Sequence, residues 1–370
     1  MARTILITGG AGFIGAHLAR QLLQEGHRVR ALDALVTQVH GDAGRPAYLD
    51  PEVELVEGDV RAPDLVGKAL VGVDAVVHLA ARVGVGQSMY EIAEYTDVNG
   101  GGTAVLLEAL LEHPVERLVV ASSMSVYGEG LYLGPDGEPR PPVDRGRAQL
   151  ERGEWDPVGP DGEMLVPVPT PESKPPSLSS VYALSKFDQE RLCLLFGSAY
   201  NVPTVALRFF NVYGPYQALS NPYTGVLAIF AARLLNGRPP LIFEDGEQRR
   251  DFVSVHDVAR ACRLALTSDR AAGAAVNVGS GQSISVNGIA ERLAAILGGG
   301  APAEVTGRYR VGDIRHCFAD IDQARDILDF APQIDLDQGM SELAGWLEGQ
   351  VAVDRVDDAT AELASRGLTA

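Results

Sequence analysis

The stretch Thr4-Ile5-Leu6-Ile7-Thr8-Gly9-Gly10-Ala11-Gly12-Phe13-Ile14-Gly15 decides the fold. A short β-branched run that ends in glycines reads as a buried strand, and Phe13 to Gln24, apolar at helical spacing, reads as the helix it feeds. Each glycine at such a junction has its own task. Gly9 permits the tight turn, Gly12 lets the backbone approach a pyrophosphate, and Gly15 lets helix and strand pack closely. The N–H groups of the first helical turn, at Phe13 and Ile14, then face the anion. Asp33 closes the next strand, near the separation at which a carboxylate accepts the ribose hydroxyls of an adenine dinucleotide. A carboxylate there repels a 2′-phosphate, so the expected cofactor is NAD rather than NADP.

Outward from this start, β-branched runs at Val29 to Asp33, Val53 to Glu57, Ala75 to Leu79 and Leu118 to Ser122 alternate with helical segments such as Thr103 to Glu112 and Tyr182 to Phe196. That alternation predicts an α/β fold, a Rossmann-type doubly wound parallel sheet with a smaller mixed α/β substrate domain. Between 129 and 180 it breaks into a stretch dense in Gly, Pro, Asp, Glu and Arg, read as a surface insertion that is either a lid or a partly ordered excursion. Alternation resumes at Val205 to Phe209, Pro239 to Phe243, His256 to Leu266, Ala275 to Val278 and Val286 to Leu297. The expected division gives 1–212 and 251–282 to the dinucleotide domain, and 213–250 and 283–350 to the substrate domain. Residues 351–370 form a tail, read as a frayed helix.

Composition narrows the partners. The chain has 370 residues, 46% of them hydrophobic and 22% charged, and a net charge of −18. Such a field repels phosphate backbones and acidic membranes, so neither nucleic acid nor a membrane is expected. No run approaches the roughly 20 apolar residues of a membrane span. Cys193, Cys262 and Cys317 lie far apart and make no CxxC pair, so no disulfide framework and no metal site is signalled, and a cytoplasmic protein is expected.

Lysine occurs only at positions 68, 174 and 186. In Tyr182-Ala183-Leu184-Ser185-Lys186 one lysine stands a helical turn from a tyrosine, which puts phenol and ammonium on one face. An ammonium and a nicotinamide cation would both favour phenolate, drawing a tyrosine pKa down from about 10 and making a base that can take a hydroxyl proton. Ser123, in Ala121-Ser122-Ser123-Met124-Ser125-Val126-Tyr127-Gly128, ends the fifth strand, where doubly wound sheets place their ligands, and could orient the reacting hydroxyl.

Taken together, the glycine-rich start, Asp33, Gly58-Asp59-Val60, His78-Leu79-Ala80-Ala81, Asn99 with Gly102-Thr103, the Ser123 segment and the Tyr182/Lys186 segment resemble the extended short-chain dehydrogenase/reductases that act on nucleotide sugars. Arg208-Phe209-Phe210-Asn211-Val212-Tyr213-Gly214-Pro215 and Arg250-Asp251-Phe252-Val253-Ser254-Val255-His256-Asp257 resemble later signatures of the same family. The resemblance implies that Asp59 and Val60 face the adenine, that Leu79, Ala80 and Ala81 line the cofactor, and that Asn99 braces the sheet beside it. Ser123, Tyr182 and Lys186 would form the catalytic triad, the last two also touching the cofactor. Asn211, Arg250 and Arg310 would hold the substrate diphosphate, Phe243 would stack on its base, and Ser125 would stand beside the sugar. Cys317 would either help set the size of the sugar that can turn or be a buried apolar thiol.

The same resemblance favours one reaction. Dehydratases of this family carry Asp and Glu after the triad Ser or Thr, whereas here Met124 and Ser125 follow, and neither exchanges a proton readily near neutral pH. A 4-epimerase needs no further acid or base: hydride leaves sugar carbon 4, the keto sugar turns over, and hydride returns on the other face. The insertion, Tyr90-Glu91-Ile92 and Asn221-Pro222-Tyr223-Thr224-Gly225 look most like the dTDP-L-rhamnose 4-epimerase branch. A UDP- or dTDP-sugar is thus the expected substrate, and a homodimer through the Thr103 and Tyr182 helices the expected assembly. The alternatives are a 4,6-dehydratase, a 4-ketoreductase and, outside catalysis, a dinucleotide-binding redox sensor.

Overall fold

The structure, a computed structural model, describes residues 2–42, 44–142, 144–221, 223, 225–298, 302–310, 312–350 and 354–369. Pro222, Thr224 and Val311, which belong to sequences quoted above, and residues 351–353 of the tail lie outside the described residues.

Five strands open the chain: β1 (Thr4–Thr8), β2 (Arg28–Asp33), β3 (Glu54–Glu57), β4 (Ala75–His78) and β5 (Arg117–Ser123). Three short strands follow within the insertion, β6 (Leu131–Leu133), β7 (Pro139–Arg140) and β8 (Val166–Val168). After the long helix Val181–Tyr200 come β9 (Thr204–Phe209), β10 (Asn211–Tyr213), β11 (Leu241–Ile242), β12 (Arg249–Arg250), β13 (Phe252–Ser254) and β14 (Ala275–Val278). The main sheet is parallel throughout, in the order β14-β9-β5-β4-β1-β2-β3.

Parallel pairing follows from the strands' composition. Both faces of β1 are buried: Ile5 and Ile7 join a cluster with Leu18, Leu22 and Val119, while Leu6 between them joins Leu32, Val76, Leu106 and Leu118 on the other face. A strand apolar on both sides is stable only where helices cover both sides. The chain leaves β1 to pair β2 on one flank and β4 on the other, and Thr8 is in register with both Leu32 and His78. This reversal of strand order opens a crevice at the carboxyl ends of β1 and β4, where such sheets bind ligands.

A third apolar cluster gathers Tyr213, Phe230, Phe252, Ile289, Leu293, Met340 and Leu343. The segment from Cys317 to Phe330, expected in this second unit, instead joins the core of the main sheet: Ala319, Ile321, Ala324 and Leu328 pack with Val276, Val278 and Cys262.

Two further expectations change. The insertion is no loose excursion: β6 pairs antiparallel with both β7 and β8, and Thr170 bridges in parallel to Ala319. Short strands with prolines carry too little periodicity to be read from sequence. The tail holds a helix, Val356–Ser365, whose Val356, Ala359 and Leu363 are buried. Few apolar residues suffice to dock it because all three lie on one stripe.

Candidate active site

The Gly9 turn adopts φ +68°, and a Cβ there would meet the Ala80 nitrogen at 2.9 Å. At Gly15 a Cβ would lie 2.6 Å from the Gly9 carbonyl oxygen, so helix and turn touch backbone to backbone. Gly12 is different, since its Cβ would meet only the Gly9 oxygen at 3.2 Å and otherwise point into open space. Gly12 also caps the Phe13–Gln24 helix without a side-chain bond, so no described side chain competes for the first-turn N–H groups. Asp33 is held by the N–H groups of Ala11 and Leu35, each at 3.0 Å, which leaves part of its acceptor capacity at the rim. A cradle open above Gly12, an uncapped helix start and a carboxylate beyond them fit the pyrophosphate and ribose of NAD, and the carboxylate argues against a 2′-phosphate. Asp59 turns its carboxylate to Arg61, with a closest contact of 2.6 Å, and Val60 is buried against Gly102.

The helix carrying Tyr182 and Lys186 is pinned at its start. Ser180 accepts from the Ala183 N–H at 3.1 Å and Ser88 Oγ from the Tyr182 N–H at 3.0 Å, so two of its orphan donors are satisfied. Lower down, Glu190 forms a two-bond pair with Arg208 of β9, at 2.7 and 3.0 Å, and accepts from Ser122 of β5 at 2.6 Å. This buried triangle sets the helix against the sheet beside Ser123. Ser123 Oγ accepts from Ser125 Oγ at 3.0 Å, so its own hydrogen is free to turn toward the Tyr182 oxygen.

Burial pushes the Tyr182 phenol above its ordinary value, and the Ser123 bond pulls against that rise. The Lys186 ammonium donates to Gln189 Oε1 at 2.7 Å, and burial lowers it to about 8, against the opposing pull of Cys193 and Glu190. Asn99, in a π-helical turn, joins the Arg82 backbone at 2.7 Å to Ser185 Oγ at 2.8 Å and so ties the segment after β4 to the catalytic helix.

On the far side of the crevice the Arg310 guanidinium lies 4.7 Å from the centre of the Phe243 ring and bonds Asp313 at 2.8 Å. Against the cost of its burial, Arg310 and Arg250 hold the Asp313 carboxyl below the usual range. Arg250 also donates to the carbonyls of Ile314 and Arg315. The side-chain oxygen of Asn211 is buried without a partner among the described residues, as an atom waiting for a polar ligand would be. A cavity of about 710 Å³ opens between the insertion and the Arg310 segment, with Glu129, Arg145, Lys174, Ser177, Arg310 and Asp313 in its wall. Cys317 lies in the core with its thiol 3.9 Å from Thr170 Oγ1, behind that wall rather than in it.

Sequence reasoning missed the insertion's clasp. Arg145 donates to Glu244 and to the Asp313 carbonyl, both at 2.7 Å, while Glu129 accepts from the backbone of Arg315 and His316 at 2.7 and 3.1 Å. Lys174 donates to the Tyr127 carbonyl. The rarity of lysine was the available signal for Lys174; nothing in the local pattern marked Arg145 or Glu129.

Comparison with known proteins agrees with this geometry. Residues 5–147 and 158–279 match the model of the NAD dependent epimerase/dehydratase family. The chain is 37% identical over 349 residues to dTDP-L-rhamnose 4-epimerase of Burkholderia thailandensis, covering 93% of this chain and 95% of that protein. A UDP-N-acetylglucosamine 4-epimerase from Methanobrevibacter ruminantium superposes with a TM-score of 0.77 at 29% identity, over 95% of this chain and 99% of the other. The UDP-glucose 4-epimerase of Thermus thermophilus, solved with NAD, gives 0.74 at 30% identity, over 94% and 100%. A doubly wound sheet with an NAD cradle at its reversal point, and relatives of this kind along nearly its whole length, make this chain a member of the NAD-dependent epimerase/dehydratase family.

Proposed function

We propose that the protein is an NAD-dependent 4-epimerase of a nucleoside-diphosphate sugar, its substrate a UDP- or dTDP-sugar and dTDP-L-rhamnose the first to test. The observation that carries the reading is the group at the end of β5. The Ser123 hydroxyl draws the Tyr182 phenol down against the rise that burial causes, and the residues that follow, Met124 and Ser125, supply no acid or base for expelling water. Gly9, Gly12, Phe13, Ile14, Gly15, Asp33, Asp59, Val60, Leu79, Ala80, Ala81 and Asn99 would hold the cofactor, which when bound accepts the hydride of sugar carbon 4 and gives it back. Tyr182 takes the proton of the carbon 4 hydroxyl and later returns it, Ser123 orients that hydroxyl, and Lys186 stabilises the phenolate. Arg250, Arg310 and Asn211 hold the diphosphate by charge-assisted bonds while Phe243 stacks on the base, so the sugar can turn with its anchor fixed. Ser125 belongs to the sugar end, and Cys317, buried behind the cavity wall, is read as an apolar core thiol.

Residues 1–212 and 251–282 serve the cofactor, and 213–250 and 283–350 the nucleotide sugar, except that Cys317 to Phe330 packs on the main sheet. A homodimer through the Gly102–Glu112 and Val181–Tyr200 helices is supported by exposed Leu111, Leu184 and Leu195 on them. Three buried free thiols support a reducing, cytoplasmic setting. The test is incubation with a panel of UDP- and dTDP-sugars and analysis of product stereochemistry. Inversion at carbon 4 without net redox change is expected, and a 4-keto-6-deoxy product would overturn the reading.

A further inference from the structure

Gln189 follows Lys186 by one turn of the same helix and is fully buried. Its Oε1 accepts from Lys186 Nζ at 2.7 Å, and its Nε2 reaches Thr103 Oγ1 at 2.9 Å and the Ala80 carbonyl at 3.2 Å. An ammonium only donates, so the amide can face it only with its oxygen, which fixes the orientation. Thr103 Oγ1 gives its own hydrogen to the Asn99 carbonyl at 2.6 Å and accepts from Gln189, and it lies 2.8 Å from His78 Nε2. The other ring nitrogen, His78 Nδ1, lies 2.7 Å from Thr8 Oγ1. Thr8 in turn accepts from the Ala80 N–H at 3.2 Å. Gln189 Nε2 also lies 3.2 Å from His78 Nε2, so short polar contacts run without a break from the catalytic lysine to the residue preceding Gly9.

We propose that Gln189 is a positioning residue, holding the Lys186 ammonium in register with the Leu79–Ala81 segment and the Gly9 turn. The inference rests on the epimerase reading for its catalytic consequence, not for its geometry. The ionisable groups facing Lys186 are His78 from β4 and, on its own helix, Tyr182, Glu190 and Cys193; Glu190 is matched by Arg208 from β9. Burial, helped by Lys186, keeps the His78 ring neutral near pH 7. Among the described residues, Gln189 is the sole hydrogen-bond acceptor of the lysine.

With only three lysines in the chain, selective labelling lets the Lys186 amine be followed by NMR as pH is raised, in the NAD-loaded protein and independently of turnover. Gln189→Leu removes the acceptor and should lower the Lys186 pKa by about one pH unit; Gln189→Glu replaces it with a carboxylate and should raise it by a similar amount. The alkaline limb of kcat should move in the same two opposite directions. Gln189→Leu should lose about ten-fold in kcat and Gln189→Glu less, with KM nearly unchanged in both because the diphosphate grip lies elsewhere. If Gln189→Leu does not fold, the upward shift in Gln189→Glu alone decides. A lysine titration unmoved by either substitution, or moved the same way by both, overturns the inference. An active wild type with unmoved titrations sinks Gln189 alone, whereas moved titrations in a protein that inverts no sugar sink the epimerase reading alone.

Discussion

The Arg310 guanidinium lies over the Phe243 ring, 4.7 Å from its centre, and donates to the Asp313 carboxylate, 2.8 Å away. Two side chains expected at different parts of the substrate, one at the diphosphate and one at the base, thus form a single preassembled unit. Asp313 and the aromatic face both restrict the rotamers of Arg310, so less entropy is lost when a phosphate arrives.

Arg310→Leu should raise KM for the nucleotide sugar about ten-fold or more with a smaller change in kcat, because a charge-assisted anchor distant from carbon 4 is removed. Steady-state kinetics on the sugar found in the panel check this. A fall in kcat at constant KM would contradict the assigned role.

Tyr182→Phe should lower turnover by about 10² to 10⁴-fold while leaving NAD retention and thermal stability near those of the parent, since the proton-accepting oxygen is lost but the ring keeps its edge contact with Tyr95 at 6.5 Å. Product formation and cofactor content, measured on the same preparation, separate the two effects.

Glu190 supports the fold rather than the chemistry. Removing it in Glu190→Ala strands Arg208, nearly fully buried, without its carboxylate, and about 3–5 kcal/mol of stability should go with it. Denaturant unfolding measures the loss, and the double variant with Arg208→Met should recover part of it.

Acid should weaken the protein through two histidines. Burial lowers His17 from 6.5 to about 4 and His78 from 6.5 to about 3, the latter helped by Lys186. The unfolded chain binds protons to both near pH 6.5 while the folded chain does not, so stability is intact above that pH and is lost as pH falls toward the folded values. The melting temperature should therefore drop between pH 7 and pH 5, and His17→Asn should flatten the slope in that window.

The carboxyl-terminal helix ties the two halves together. Arg366 stacks on Tyr90 at 4.3 Å, Arg233 bonds Asp357 at 3.0 Å, and Thr369 bridges to Arg310. A chain ending at residue 350 should melt at a lower temperature and bind the nucleotide sugar more weakly, because the rim beside Arg310 loses its support; calorimetry and substrate titration report the two effects separately.

Local chemistry made much of this legible beforehand. Gly9, Gly12 and Gly15 have meaning only at a strand-to-helix turn, and Asp33 only at the end of the next strand, so position along the chain nearly fixes position in space. The Tyr182 and Lys186 spacing likewise places two groups on one helix face through helical geometry alone. Spacing cannot say which neighbour a buried ammonium chooses. Lys186 bonds Gln189, a choice made by His78 and Ala80 at the end of β4 and by Thr103 of the Gly102–Glu112 helix, two segments distant in the chain. The insertion's clasp through Arg145 and Glu129, and the docking of Val356, Ala359 and Leu363, were also settled only by folding. Each depends on contacts between residues far apart in the chain, and no local pattern records which distant surface a short polar strand or a sparse apolar stripe will meet.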